Sequence, residues 1–207
     1  MDTMWTVVRA ERGALADDLN GLSDAQWEIP SLCPRWTVQD VVAHQTATAS
    51  LSPVTFFVRF AVKGFNFDRF ADGEIARRKG ATPAETLARF RTVRESTSAP
   101  PGPKLSWLGE TIVHSEDIRR PLGIAHTYPD DAVRSVLDFY KGSNTLIGTK
   151  SRIRGLQLKA TDQDWSHGGG PLVEGPMLNL LVAATGRAAG CDGLSGDGVD
   201  TLRARCG

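Results

Sequence analysis

From Trp5 to about Gly148 the apolar residues recur mostly at helical spacing, with breakers between the runs. Trp5, Val8, Leu15 and Leu19 predict a first helix that ends near Asn20-Gly21. Ser23-Asp24-Ala25-Gln26 is suited to cap a short turn, and Pro30 through Pro34 forces irregular backbone. Thr37-Val38-Gln39-Asp40 opens a second helix as a variant capping box, with Asp40 standing at N3 in place of the longer Glu or Gln. That helix carries Val38, Val41, Val42 and His44, and Pro53 bends it or begins a new segment. Thr82-Pro83 starts a third helix through Leu87 and Phe90, with proline at N1. A fourth runs from about Leu105 to Arg120 and is stopped by Pro121 and Gly123. A fifth follows Pro129, with Val133, Val136, Leu137 and Tyr140 on one face. Four or five helices with short connections imply an up-and-down bundle.

After Gly148 the pattern changes. Ile153, Leu156 and Leu158 alternate loosely, Gly168–Pro171 reads as a turn, and Leu172-Val173 returns as a second strand. Met177–Ala189 is then a helix, followed by loop. This tail is too short to hold a core alone. The expected organisation is mainly α, with a helical bundle over residues 1–148 and a small α+β region over 149–207 packed against it.

Composition narrows the class. The 24 Lys+Arg and 24 Asp+Glu cancel, so no electrostatic footprint for nucleic acid or an anionic membrane is present, and neither partner is expected. The apolar stretches Phe56–Val62 and Pro176–Ala184 are too short to span a bilayer, and Met1–Trp5 lacks the basic start and apolar run of a signal peptide. Cys33, Cys191 and Cys206 are scattered without CxxC spacing, which reads as reduced thiols of a cytoplasmic protein. Phe56, Phe57, Phe60, Phe65, Phe67 and Phe70 crowd one segment, as core or as a subunit contact, which leaves a homodimer open.

The four histidines carry the chemical signal. Glu110 and His114 stand four apart on the fourth helix, hence on one face, one turn from each other. His44 lies mid-helix at a core-facing position. If the second and fourth helices are neighbours, these three complete the donor set of a catalytic zinc or similar divalent site. The same pair is also the signature of an exposed stabilising contact, and a lone histidine on an apolar helix is commonly a hydrogen-bonded core residue. Asp40 could orient the second nitrogen of His44 or simply cap the helix, and Asp117, one turn beyond His114, raises the same outer-shell question. Arg119-Arg120 suits a helix C-terminus. Cys33 has no sequence neighbour that would activate it, and His126 and His167 fall in predicted loops.

At these positions the sequence resembles a known family. The stretch from Trp27 to His44, including Cys33-Pro34-Arg35-Trp36-Thr37, is similar to the first signature of the mycothiol-dependent maleylpyruvate isomerase family, within the wider DinB-like group of helical-bundle metalloproteins. Glu110–Gly123 resembles its second signature. Ala160–Trp165, Gly170-Pro171, Gly175-Pro176 and Thr185-Gly186-Arg187 resemble its C-terminal region. The resemblance implies a DinB-like four-helix bundle with a small, shortened C-terminal domain, and His44, Glu110 and His114 as ligands of a divalent metal, zinc first, with nickel or iron as alternatives. It also implies mycothiol or another low-molecular-weight thiol as cosubstrate, a small electrophile as substrate, and a transferase or isomerase reaction. Asp117 is the candidate acid–base residue, and Arg119 and Arg187 are the candidates for holding the thiol cofactor. Two other readings stay open: a metal- or small-molecule-binding regulator whose closed site takes a fourth ligand from His167 or Cys33, and a helical interaction protein without metal.

Overall fold

The computed structural model describes residues 3–145 and 147–206. Met1 and Asp2, the start of the segment read for a leader, lie outside them. The elements in chain order are α1 (Thr3–Asp18), α2 (Asp24–Trp27), α3 (Val38–Thr48), α4 (Pro53–Val62), α5 (Phe67–Arg78), α6 (Pro83–Thr92), α7 (Lys104–Leu122), α8 (Asp130–Tyr140), α9 (Thr149–Arg152), β1 (Gln157–Ala160), β2 (Ser166–Gly168), β3 (Leu172–Gly175), α10 (Met177–Ala184) and α11 (Val199–Arg203), with 3-10 turns at Leu19–Gly21 and Ala188–Gly193. The fold is mainly helical with one small sheet, as expected. Among the described residues no helix is long and apolar enough to cross a membrane. The chain divides into two compact units, Met1–His126 and Thr127–Gly207.

In the first unit four helices close a ring: α1 packs on α7, α7 on α3, α3 on α6 and α6 on α1. Their inward stripes, including Leu15, Leu19, Val38, Val41, Val42, Phe90 and Ile118, make one buried cluster that also takes in Trp27 and Cys33. The start of α3 is fixed by the predicted cap. Thr37 Oγ1 accepts the Asp40 N–H at 3.3 Å, and Asp40 Oδ2 accepts the Thr37 N–H at 3.0 Å. Such a cap contributes about 1 kcal/mol. The other oxygen of Asp40 meets Lys79 Nζ at 3.0 Å. Both carboxylate oxygens thus serve the helix start, and capping is the role the geometry gives this residue.

Pro53 begins a separate helix, capped by Ser52, and α5 follows where the sequence pattern showed only a run of phenylalanines. Phe56 and Phe60 turn inward onto buried Phe70. The opposite stripe, Val54, Phe57, Val58 and Val62, is exposed together with Phe65 and Phe67. The Phe-rich segment therefore divides between core and surface.

Helix α7 runs past Pro121 and ends at left-handed Gly123, whose N–H reaches the Arg120 carbonyl while Ile124 N–H reaches that of Arg119. Proline was expected to stop this helix. It is tolerated in the last turn because it removes only the bond to the carbonyl four residues back, that of Asp117. That carbonyl instead accepts the Leu32 N–H at 3.1 Å, from the loop preceding α3.

In the second unit the sheet order is β2-β1-β3, with β1 antiparallel to β2 and parallel to β3. Strand β2 occupies residues bordering the expected glycine turn. Gly168 has φ +81°, and a Cβ there would strike the Leu156 carbonyl oxygen, so only glycine permits this pairing. Helix α10 is shorter than expected, because the chain breaks at Gly186 and continues as a 3-10 turn. Helix α8, assigned from its spacing to the bundle, belongs to the second unit, where it packs on α10. Periodicity reveals that Val133, Val136, Leu137 and Tyr140 are buried, but not which partner covers them. The division by contacts consequently falls earlier than the expected change at residue 148.

Candidate metal centre

Helices α3 and α7 are neighbours, and their contact brings His44, Glu110 and His114 together, with one donor atom from each within 4.8 Å of the others. His44 Nε2 stands 3.8 Å from Glu110 Oε1. Two tetrahedral zinc ligands at about 2.0–2.1 Å from the ion lie about 3.4 Å apart, so a shift of a few tenths of an ångström would let these two share one cation. The imidazole rings sit 4.9 Å apart at 77°, fanned about a common point. The three side chains are 17 %, 16 % and 15 % exposed respectively, so the cluster opens to solvent on one side. Trp36 flanks it, with its ring 4.8 Å from that of His44.

Behind His114 lies a second layer. Asp117, fully buried, places Oδ2 2.9 Å from His114 Nδ1. The same oxygen accepts the Cys33 thiol at 3.0 Å, and Cys33 Sγ is 3.6 Å from His114 Nδ1. Cys33, His114 and Asp117 thus form a second group of metal-capable side chains overlapping the first. Nδ1 is within hydrogen-bond distance of Asp117, so a cation shared with His44 and Glu110 would take His114 Nε2. This is the carboxylate–histidine arrangement that fixes a ligand's tautomer.

Electrostatics agree with that division. Burial holds His44 down to about 3, reinforced by the neighbouring His114 against the pull of Asp117, so His44 is neutral with a free lone pair. Burial also opposes charge on His114, but Cys33 and Asp117 outweigh it and raise the imidazole to about 10. Glu110 is raised by burial, with His114, Arg12 and a hydrogen bond from Thr48 working against that rise. Arg12 is itself buried, and its NH1 is pinned by the Val93 and Ser96 carbonyls at 3.2 and 2.8 Å.

The remaining expected residues fall elsewhere. Arg119 is fully buried and paired with Asp18 at 2.7–2.8 Å, while Arg120 meets Glu116 at 2.8 Å. Arg187 lies in the second unit, with NH1 on the Thr185 carbonyl at 2.9 Å. His167 is on β2 of that unit, and His126 Nε2 binds Glu11 at 2.7 Å. Cys33, read from its neighbours in sequence as isolated, meets the α7 side chains of His114 and Asp117. Arg12 and Thr48 were not singled out from the sequence, because nothing in their spacing marks a partner on another helix.

Residues 8–101 match the family model described as the mycothiol maleylpyruvate isomerase N-terminal domain, a span that holds Cys33 and His44 and ends before Glu110. The crystal structure of the mycothiol-dependent maleylpyruvate isomerase is similar in fold, with a TM-score of 0.65 at 16% identity over 95% of this chain and 92% of that one. A histidine-to-alanine mutant of that enzyme matches equally, at a TM-score of 0.65 and 15% identity over the same shares. The family model bears out the resemblance over residues 8–101, and the two structures bear out the fold. No curated relative matches the chain by sequence.

Proposed function

We propose that the protein is a metal-dependent enzyme that uses a low-molecular-weight thiol of the mycothiol type to act on a small electrophile, as an S-transferase or a cis–trans isomerase. The observation that carries this reading is the convergence of His44, Glu110 and His114 on one partly open point, with Asp117 behind His114. One divalent cation, zinc first, would be held by these three side chains and would supply acidification of a bound thiol.

The chain's own groups support such chemistry in distinct ways. His44 offers an unprotonated nitrogen. Asp117 keeps the His114 ring oriented, and its burial behind that ring makes it a positioning group rather than the base facing the substrate. Trp36 gives the open side an apolar wall that limits water beside His44. A sulfur nucleophile that adds to an electrophilic carbon and stays gives a transferase; addition, rotation and elimination give an isomerase.

Elemental analysis of tag-free protein tests the first part. Near-stoichiometric zinc in the wild type, lost in His44→Ala and His114→Ala, is the expected result. Mycothiol consumption with monobromobimane and with cis-configured unsaturated acids then separates transferase from isomerase. A wild type that neither retains nor takes up zinc, nickel or iron overturns the reading.

A further inference from the structure

Two details of α7 converge on the loop that precedes α3. Pro121 has no N–H, so the Asp117 carbonyl lacks its partner in the helix ladder, and the Leu32 N–H takes that place at 3.1 Å. One residue on, the Cys33 thiol donates to Asp117 Oδ2 at 3.0 Å. The loop therefore grips Asp117 by its main chain and its side chain at once. The loop is itself closed, since Ser31 N–H meets the Trp36 carbonyl at 2.9 Å, Val38 N–H meets that of Ile29 at 3.0 Å, and Ser31 Oγ accepts the Cys33 N–H at 3.1 Å. Arg35 adopts a left-handed φ of 72° to complete the turn. This construction holds a thiol, a weak donor, at a fully buried carboxylate whose same oxygen holds His114 Nδ1.

Resting on the metal reading above, we infer that Cys33 is a positioning residue: its thiol fixes the Asp117 carboxylate, which in turn fixes the ring and tautomer of His114 toward the cation. Cys33 is then neither a nucleophile nor a fourth ligand. A donor on Asp117 Oδ2 stops the carboxylate from rotating away from His114. It also shares the charge of that oxygen, which tempers how strongly His114 donates through Nε2. Packing against Trp27, Val38 and Ile118 is the competing explanation for a buried cysteine at this place, and the two separate cleanly by substitution. Valine is larger than cysteine and alanine smaller, and neither has a donor, whereas serine has nearly the shape of cysteine and keeps one, so a loss shared by valine and alanine but not by serine reports the donor.

The test is zinc affinity by competition with a chromophoric chelator, together with the visible spectrum of the cobalt-substituted protein, for wild type, Cys33→Val and Cys33→Ser. Loss of an outer-shell partner costs about 10–100-fold in metal affinity; because Cys33 acts through Asp117, a loss of about 10-fold is expected in Cys33→Val, with a shifted cobalt spectrum. Cys33→Ser is expected to stay within about 3-fold of the wild type, even if its metal-free protein melts lower. Should Cys33→Val fail to fold by circular dichroism, Cys33→Ala, which leaves space but no donor, takes its place with the same expectation. Wild-type affinity and spectrum in the donor-free variant, or an equal loss in the serine variant, overturn the inference and leave Cys33 as packing. A wild type that binds no metal overturns the metal reading beneath it, an outcome distinct from either of these.

Discussion

Glu110→Gln separates the contribution of a buried charge from that of a metal ligand, because the two have opposite signs. The amide keeps the shape of the side chain and an oxygen to accept from Thr48, but carries no charge. In metal-free protein the wild-type carboxyl is raised above its ordinary 4.5, first by burial. Below that value folded and unfolded chains are both protonated, and the group has no effect on stability. As pH rises through it, the unfolded chain ionises first and stability drains until the folded carboxyl ionises too. Each tenfold displacement of the acid constant is worth about 1.4 kcal/mol, and in a chain of this size 1 kcal/mol moves Tm by about 2–4 °C. In chelator-treated samples unfolded by urea, Glu110→Gln should therefore gain on the wild type as pH rises above the ordinary carboxylate range, by about 1.4 kcal/mol for each tenfold displacement, and the gain should level off once the folded carboxyl ionises. With zinc present the order should invert, since one of three ligands is gone and the loss should exceed the about 10–100-fold of an outer-shell change. A stability difference that is flat or declines with pH would refute the argument, because Arg12 and Thr48 would then fully compensate the burial of the charge.

Three further outcomes follow from the packing. Asp18→Ala removes the ion pair of the fully buried Arg119 guanidinium and should cost up to about 3 kcal/mol, seen as a lower urea midpoint. Gly190→Ala sets a Cβ against the Ala183 backbone nitrogen and the Asn179 carbonyl, neither of which can swing aside; a loss of about 1–3 kcal/mol is expected, read as a drop in Tm. Serine at Phe57, Val58 and Val62 together should leave stability within about 1 kcal/mol of the wild type, because these side chains are already exposed, while light scattering at high concentration should decrease.

The candidate ligands were legible because each stood on a helix whose phase could be read. Spacing fixed Glu110 and His114 to one face, and the cap at Thr37 with the apolar positions Val38, Val41 and Val42 turned His44 inward. What lay beyond reading was everything carried by irregular backbone. The path from Pro30 to Trp36 has no period, so nothing in it revealed that Cys33 would meet a helix far along the chain. The Leu32 bond goes to the Asp117 carbonyl, the one that Pro121, having no N–H, does not meet in the helix ladder, and spacing registers this only as the end of a helix. Helix α5 was hidden for another reason: at its start Phe65, Phe67 and Phe70 stand among Gly64, Asn66, Asp68 and Arg69, a spacing from which no clear stripe stands out. The affiliation of α8 was illegible too, since an amphipathic helix states that it is covered and not by what.

The cap of α3 has a consequence beyond its contribution to stability. Between Thr37 and His44 the helix makes about two turns at 3.6 residues each, so every residue of offset swings a side chain by about 100°. Thr37 and Asp40, the latter tethered to Lys79, thus act as an angular datum from which the direction of His44 is measured. A point change on the outer face of this helix leaves the datum alone. A single insertion or deletion between Thr37 and His44 would preserve a perfectly good helix and rotate its histidine off the cluster. Length variation in this stretch is therefore far more dangerous to the protein than substitution.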